Sequence, residues 1–168
     1  TYASVARGYV TPGFPAYSVN SFLGKPETPF PASTSWTYET GFKSKLLDDR
    51  LSISGAAFLN DVKSGHLIFF DPAQALFTTV ALNYQSYGGE LELTAKVTPD
   101  FDVFSGIGYT HAALVDVPSN SSTGARSGNE VPNVPAVTAN IGMEYRWAAK
   151  PFGLPGNFTG RVSYQYEI

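Results

Sequence analysis

In "GGELELTAKVT" (Gly88–Thr98) two carboxylates, Glu90 and Glu92, stand two residues apart. On an extended strand they share a face at about 7 Å. Glycosidases pair a general acid with a base or nucleophile at such separations. Strict alternation produces the same spacing without any chemistry. With Lys43 and Lys96 at hand as partners, a charge network is the plainer expectation. His66 and His111 are the only two histidines. With Asp61, Asp71 or Asp116 they could ligate a metal. No second histidine falls at a ligand spacing such as H-x3–5-H, so solvated histidines are expected, and no metal or cofactor. "STGARSGNE" has glycines but no G-K-[ST], so it is not a phosphate loop. Its Arg126 could pair with an anionic carboxylate or catecholate ligand, against the simpler role of an exposed loop arginine. Asp48-Asp49-Arg50 has the chemistry of a turn.

Aromatic residues supply the other candidates. Phe14, Tyr17, Phe22, Phe30, Phe69, Phe70 and Phe77 fall in two stretches, 10–34 and 61–78, that read as loops. So many loop aromatics either pack on one another or grip a ligand. Tyr17, Phe22, Phe69, Phe70 and Phe77, together with Arg126, are the candidate ligand contacts.

The elements that must hold these residues are strands. The 168 residues include 12 Phe, 10 Tyr, 16 Gly and 12 Pro, which favours strands and turns over helices. No 3.6-residue apolar period stands out, so the chain is expected to be all-β. The net charge of −3, with scattered basic residues, argues against a nucleic-acid partner. The absence of cysteine excludes disulfides and thiolate metal sites. The chain opens and closes in mid-pattern with neither Met nor signal peptide, and is expected to be a piece of a longer protein.

Alternation lays down seven strands, at about 1–9, 35–46, 51–60, 79–97, 102–110, 134–147 and 158–168. In the second, fourth, sixth and seventh, ten charges fall on the polar rows: Glu39, Lys43, Lys45, Glu90, Glu92, Lys96, Glu144, Arg146, Arg161 and Glu167. The apolar rows of the same strands carry none. Arg7 breaks the rule by falling in line with Ala3 and Val5. In the fourth strand the apolar phase slips near Tyr87-Gly88-Gly89, which predicts a glycine-assisted bulge.

Connections decide which solvent the apolar rows meet. Long and short ones alternate throughout: 10–34, 47–50, 61–78, 98–101, 111–133 and 148–157. Soluble sandwiches have no reason to sort loops this way, whereas outer-membrane barrels put short turns inside and long loops outside. About 11 residues rising ~3.3 Å each at a ~40° tilt span ~28 Å, near the height of such a barrel's apolar band. Trp36 with Tyr38, and Tyr145 with Trp147, would form the two interfacial aromatic girdles. The expected fold is thus an antiparallel up-and-down transmembrane β-barrel segment. Apolar rows would face outer-membrane lipid, and Glu39, Lys43, Lys45, Glu90, Glu92, Lys96, Glu144 and Arg146 would face the lumen. Backbone groups in lipid must all be paired, so the closed barrel needs further strands.

Four segments in order carry a family resemblance. "YASVARGY" resembles the Y-A-S-x-x-(K/R)-G-(F/Y) strand of TonB-dependent outer-membrane receptors. "YETGFKSKLLDDRLSISGAAFLNDV" is similar to their Glu-x-Gly-x-Lys strand–turn–strand. "GGELELTAKVTPDFDVFSGIGYTHA" resembles the following hairpin, and "GNEVPNVPAVTANIGMEYRW" the next descending strand. The resemblance runs over residues 1–168. It implies part of a 22-stranded barrel, without its plug domain, in the outer membrane of a Gram-negative bacterium. The function implied is non-enzymatic: uptake of a scarce nutrient, most often a ferric siderophore, driven by TonB acting on the plug. In that setting the sequons at Asn120 and Asn157 are coincidence. Three rivals make different predictions. A small porin-like barrel would be complete in itself. A soluble carbohydrate-binding β-sandwich would bury its apolar rows in a second layer. A hydrolase would rest on Glu90 and Glu92 alone.

Overall fold

Short turns between alternating segments favour strands that pair with their chain neighbours, and the fold follows this rule. A computed structural model describes residues 1–14, 29–71, 76–119, 121 and 124–168. Seven strands form one antiparallel sheet in chain order: β1 (Tyr2–Val10), β2 (Ser33–Leu46), β3 (Leu51–Asp71), β4 (Leu76–Thr98), β5 (Phe101–Val115), β6 (Val137–Ala148) and β7 (Asn157–Glu167). Among the described residues there are no Greek-key crossings, which removes the sandwich.

Register fixes the faces. Tyr38 lies opposite Val5 and Leu59, Leu59 opposite Tyr87, and Ile107 opposite Leu91 and Ala139. The ladder from Tyr2–Gly41 to Val10–Ser33 is unbroken, so Arg7 belongs to the apolar face and faces Trp36. Its guanidinium lies 5.5 Å from the Trp36 ring centroid, a cation–π contact. Across Trp36 on the other side is Asp61. The charged exceptions, Arg7 and Asp61, thus share one row at the long-loop end, where an apolar band would meet water.

The bulge predicted at Tyr87-Gly88-Gly89 is absent. β4 pairs without a break from Tyr84 to Ala95 with β3, and from Asn83 to Lys96 with β5. The phase slips because the environment changes along one straight strand. Up to Tyr87 from the short-turn end, β4 puts its apolar residues on the open face. Beyond it, Leu82 and Val80 point the other way, into a packed cluster. The glycines serve close approach instead. A Cβ on Gly88 would overlap the Tyr109 carbonyl and come within 2.9 Å of Phe58 Cζ.

The stretch 61–78, expected as a loop, is mostly strand. β3 runs to Asp71 and β4 starts at Leu76. These strands have 21 and 23 residues, about twice the roughly ten needed to cross a bilayer, so they project as a paired arm. A register shift between Val62 and Gly65 hides the pattern. One extra residue there puts Val62 and Leu67 on the same face despite their odd spacing. Ser64 takes φ +53°, and its N–H donates to Asn83 Oδ1 at 2.9 Å. The real bulge of β4 lies between Lys96 and Thr98, beside the turn.

The connection 111–133 is also shorter than expected, because β5 continues to Val115. The chain after it folds back along the β5 edge: Val131 N–H donates to Ala112 O, and Gly128 N–H to Leu114 O. Ala125 and Val131 then pack on Leu82, Ala112 and Leu114, the last only 1% exposed. This is the principal buried cluster among the described residues, and it lies at the long-loop end.

At the opposite end the β2–β3 turn holds three consecutive residues, Leu47, Asp48 and Asp49, at φ +54°, +54° and +62°. Aspartate tolerates this region and leucine does not. Leu47 is largely exposed, so its side chain gains little there. Leu47→Asn is therefore expected to stabilise the folded protein by about 1 kcal/mol, measured as a higher urea midpoint.

Candidate functional site

Two regions carry polar or ligand-sized features, and the first is the charged face. Alternation puts Glu39, Lys43 and Lys45 of β2, Glu90, Glu92 and Lys96 of β4, and Glu144 and Arg146 of β6 on one side of the sheet. Arg161 and Glu167 of β7 join them, and the ladders bring the rows together. Neither Glu90 nor Glu92 is bridged to a lysine among the described residues. Glu92 accepts instead from Ser54 Oγ at 3.3 Å, its cross-strand partner. Glu39 stands on β2 diagonal to Tyr2 of β1, whose direct partner is Gly41. Lys45 reaches Asp49 at 3.9 Å with both side chains well exposed, a pair of little energetic weight.

The tightest cluster is at the short-turn end. Arg146 Nη2 donates to Asp102 Oδ2 at 2.8 Å and to Pro99 O at 3.4 Å, and Nη1 to Glu144 Oε1 at 3.1 Å. Beside it Arg161 lies over the Phe104 ring, 4.4 Å from its centroid. A Cβ at Gly142 would overlap that ring, so Gly142, Phe104 and Arg161 stack in order. Asp102 was missing from the lumen charges expected from sequence. Its signal was there: it shares the even-numbered row of Phe104 in β5, directly opposite Glu144. Arg50, expected only as part of a turn, ties that turn to β4. Its Nε and Nη2 donate to the carbonyls of Lys96 (3.2 Å) and Val97 (2.6 Å).

The second region is the long-loop end. Phe69 is half-buried and packs on the Leu82–Leu114 cluster. Phe70 and Phe77 pair across the β3–β4 ladder; their side chains lie outside the described residues. Tyr17 and Phe22 lie wholly outside them. Arg126 sits exposed on a turn whose Asn129 Oδ1 accepts the Arg126 N–H at 2.9 Å. Phe30 is drawn to the arm: its ring lies 4.2 Å from His66, whose Nε2 hydrogen-bonds Pro31 O at 2.8 Å. His111 packs against Tyr87 at 5.2 Å. Each histidine therefore has a partner of its own, and no group of three or more metal-ligating side chains stands together among the described residues.

The opposite face of the sheet is apolar and open. Ile107, Ile141 and Val162 are all exposed, and no second layer covers them among the described residues. Aromatic belts bound this surface. At one end Trp36 stacks with Tyr38 at 6.5 Å. At the other, Phe101, Tyr145, Trp147 and Phe158 form a run of ring contacts at 5.9–6.3 Å.

This arrangement has known counterparts. The family model described as TonB dependent receptor-like, beta-barrel matches residues 1–167. Among solved structures, the chain is similar to the ferric yersiniabactin uptake receptor FyuA from Yersinia pestis: TM-score 0.70, 20% identity, covering 97% of this chain and 22% of that one. It is similar to the copper transporter OprC (TM-score 0.60, 16% identity, 96% and 23%). It is also similar to the alcaligin outer membrane receptor FauA from Bordetella pertussis (TM-score 0.53, 19% identity, 97% and 26%). The chain spans about a fifth to a quarter of the length of these structures.

Proposed function

Because the chain belongs to the TonB dependent receptor-like β-barrel family, outer-membrane receptors and transporters rather than enzymes, we propose that it walls part of a barrel importing a ferric siderophore. One observation carries this proposal. The same unbroken strands present an apolar open face between two aromatic belts, put their charges opposite, and beyond the belt bury apolar residues under a folded loop. In lipid the first face is stable and the second is not. The open apolar face therefore meets the acyl chains. The row of Glu39, Lys43, Lys45, Glu90, Glu92, Lys96, Glu144 and Arg146 meets the lumen and the plug domain of the whole receptor. The β3–β4 arm and the 116–136 connection form the outer mouth.

Ligand contact is assigned to Phe69, Phe70, Phe77 and Arg126 of that mouth, and to Tyr17 and Phe22 of the 10–34 connection. Aromatic rings grip the apolar parts of a chelate, and an arginine answers its negative charge. The neighbours FyuA and FauA, named for ferric yersiniabactin and alcaligin, support the siderophore class. Plug movement under TonB belongs to the whole protein. In the full-length receptor, the combined Tyr17→Ala, Phe70→Ala, Phe77→Ala and Arg126→Ala variant is expected to weaken ferric-siderophore binding at least about tenfold, the equivalent of one lost charge-assisted contact. Unchanged affinity would remove these residues from the site. A correctly inserted receptor that takes up no ferric siderophore from a chemically diverse panel would refute the nutrient class.

A further inference from the structure

We propose that the β6–β7 turn, residues 149–156, is a membrane anchor seated among phospholipid headgroups at the short-turn end of the barrel; the proposal rests on the apolar face meeting lipid. The turn is built to hold its shape. Ala149 is buried at 3% exposure. Its N–H donates to Gly156 O, and its carbonyl accepts from the N–H groups of Phe152 and Leu154. Gly153 and Gly156 take φ +73° and +94°, which side-chain-bearing residues rarely adopt.

What this rigid frame displays is apolar. Phe152 is 68% exposed and Leu154 52%. Phe152 does not stand apart from the sheet: its ring meets Phe158 edge-on at 5.7 Å, and Phe158 leads through Trp147 and Tyr145 to Phe101. The turn therefore continues the aromatic belt past the ends of the strands, on the same side of the sheet. Continuity with the lipid-facing surface identifies the occupant as lipid. An apolar pair next to an exposed cation, Lys150, is the composition of an interfacial segment. Rings and aliphatic groups sink to the acyl boundary, and the ammonium stays level with headgroup phosphates. The other short turns, Leu47–Arg50 and Pro99–Asp100, contain acidic residues and no aromatic ring.

The test places a nitroxide, through single cysteines, at 152, 154, 162 and 49 of the full-length receptor in phosphatidylethanolamine–phosphatidylglycerol vesicles. Collision with oxygen reports lipid, and collision with a water-soluble nickel chelate reports water. Position 162 is the lipid reference and 49 the aqueous one. The expected result is that 152 and 154 rank between the two references, with more oxygen and less nickel-chelate collision than 49. If 162 favours oxygen while 152 and 154 rank with 49, the anchor is refuted and the lipid-facing reading stands. If 162 itself favours the nickel chelate, both fall.

Discussion

Arginine at Ile141 is expected to cost the folded barrel about 2–4 kcal/mol, while arginine at the adjacent Asn140 costs close to nothing. Ile141 lies on the open apolar face, between Ser105 and Tyr164 of the neighbouring strands. A guanidinium there sits in the middle of the band, far from either belt, with no headgroup in reach. Asn140 points to the other face, where it borders a hollow lined by Glu90, Glu92 and Thr138. A cation placed there finds carboxylates. The two positions are adjacent in the chain, and the pleat sends them to opposite faces. Urea-driven unfolding of the full-length receptor from phospholipid vesicles measures the difference. A factor of about 30 or more between the two folding equilibria is expected at Ile141, the equivalent of 2 kcal/mol. Equal losses at both positions would mean that the faces are not sorted between lipid and lumen.

The second large effect is at Gly88. A methyl group there overlaps the Tyr109 carbonyl on β5 and crowds the Phe58 ring. The carbonyl is backbone and cannot rotate away, so β4 and β5 must separate or Phe58 must leave its position. Gly88→Ala is expected to cost about 2–3 kcal/mol, the upper part of the overpacking range. Gly89→Ala is the control. Its Cβ meets only Ala56 O at 3.1 Å, and a shift of a few tenths of an ångström relieves it, so less than about 1 kcal/mol is expected. The heat-dependent gel mobility of the folded barrel, followed against urea, reads both. A bulge at Gly88-Gly89 would give the reverse order or no difference.

That contrast also shows where the sequence was legible. Pairing of neighbours and the two faces could be read wherever alternation was strict, as in "EYRW" or "ELEL", because a period of two maps directly onto the pleat. All ten charges assigned to polar rows stand on one face of the sheet. Reading failed where period and environment separated. At Val62–Gly65 one extra residue broke the alternation and made a strand look like a loop. At Tyr87–Gly89 the strand stayed regular while its surroundings changed from an open face to a packed cluster. The pattern then imitated a bulge. Arg7 broke the alternation because its partner is on another strand: Trp36, across the β1–β2 ladder, takes its guanidinium over the ring. Phe69, a candidate ligand contact expected in a loop, is on β3 and packs on the Leu82–Leu114 cluster. Asp102 went unnoticed because its partner Arg146 is on another strand, and only the β5–β6 register joins them.

The central claim is that one face of this sheet meets lipid and the other water. Cysteine scanning of Thr138 through Arg146 in the full-length receptor, with a small charged methanethiosulfonate reagent applied in native membranes, tests it most directly. A thiol in hydrocarbon stays protonated and out of reach of a charged reagent, whereas a thiol in a wet lumen ionises and reacts. Labelling is expected at 138, 140, 142, 144 and 146, with 139, 141 and 143 silent. Labelling at the odd positions with silence at the even ones, or reaction at every site alike, would contradict the account.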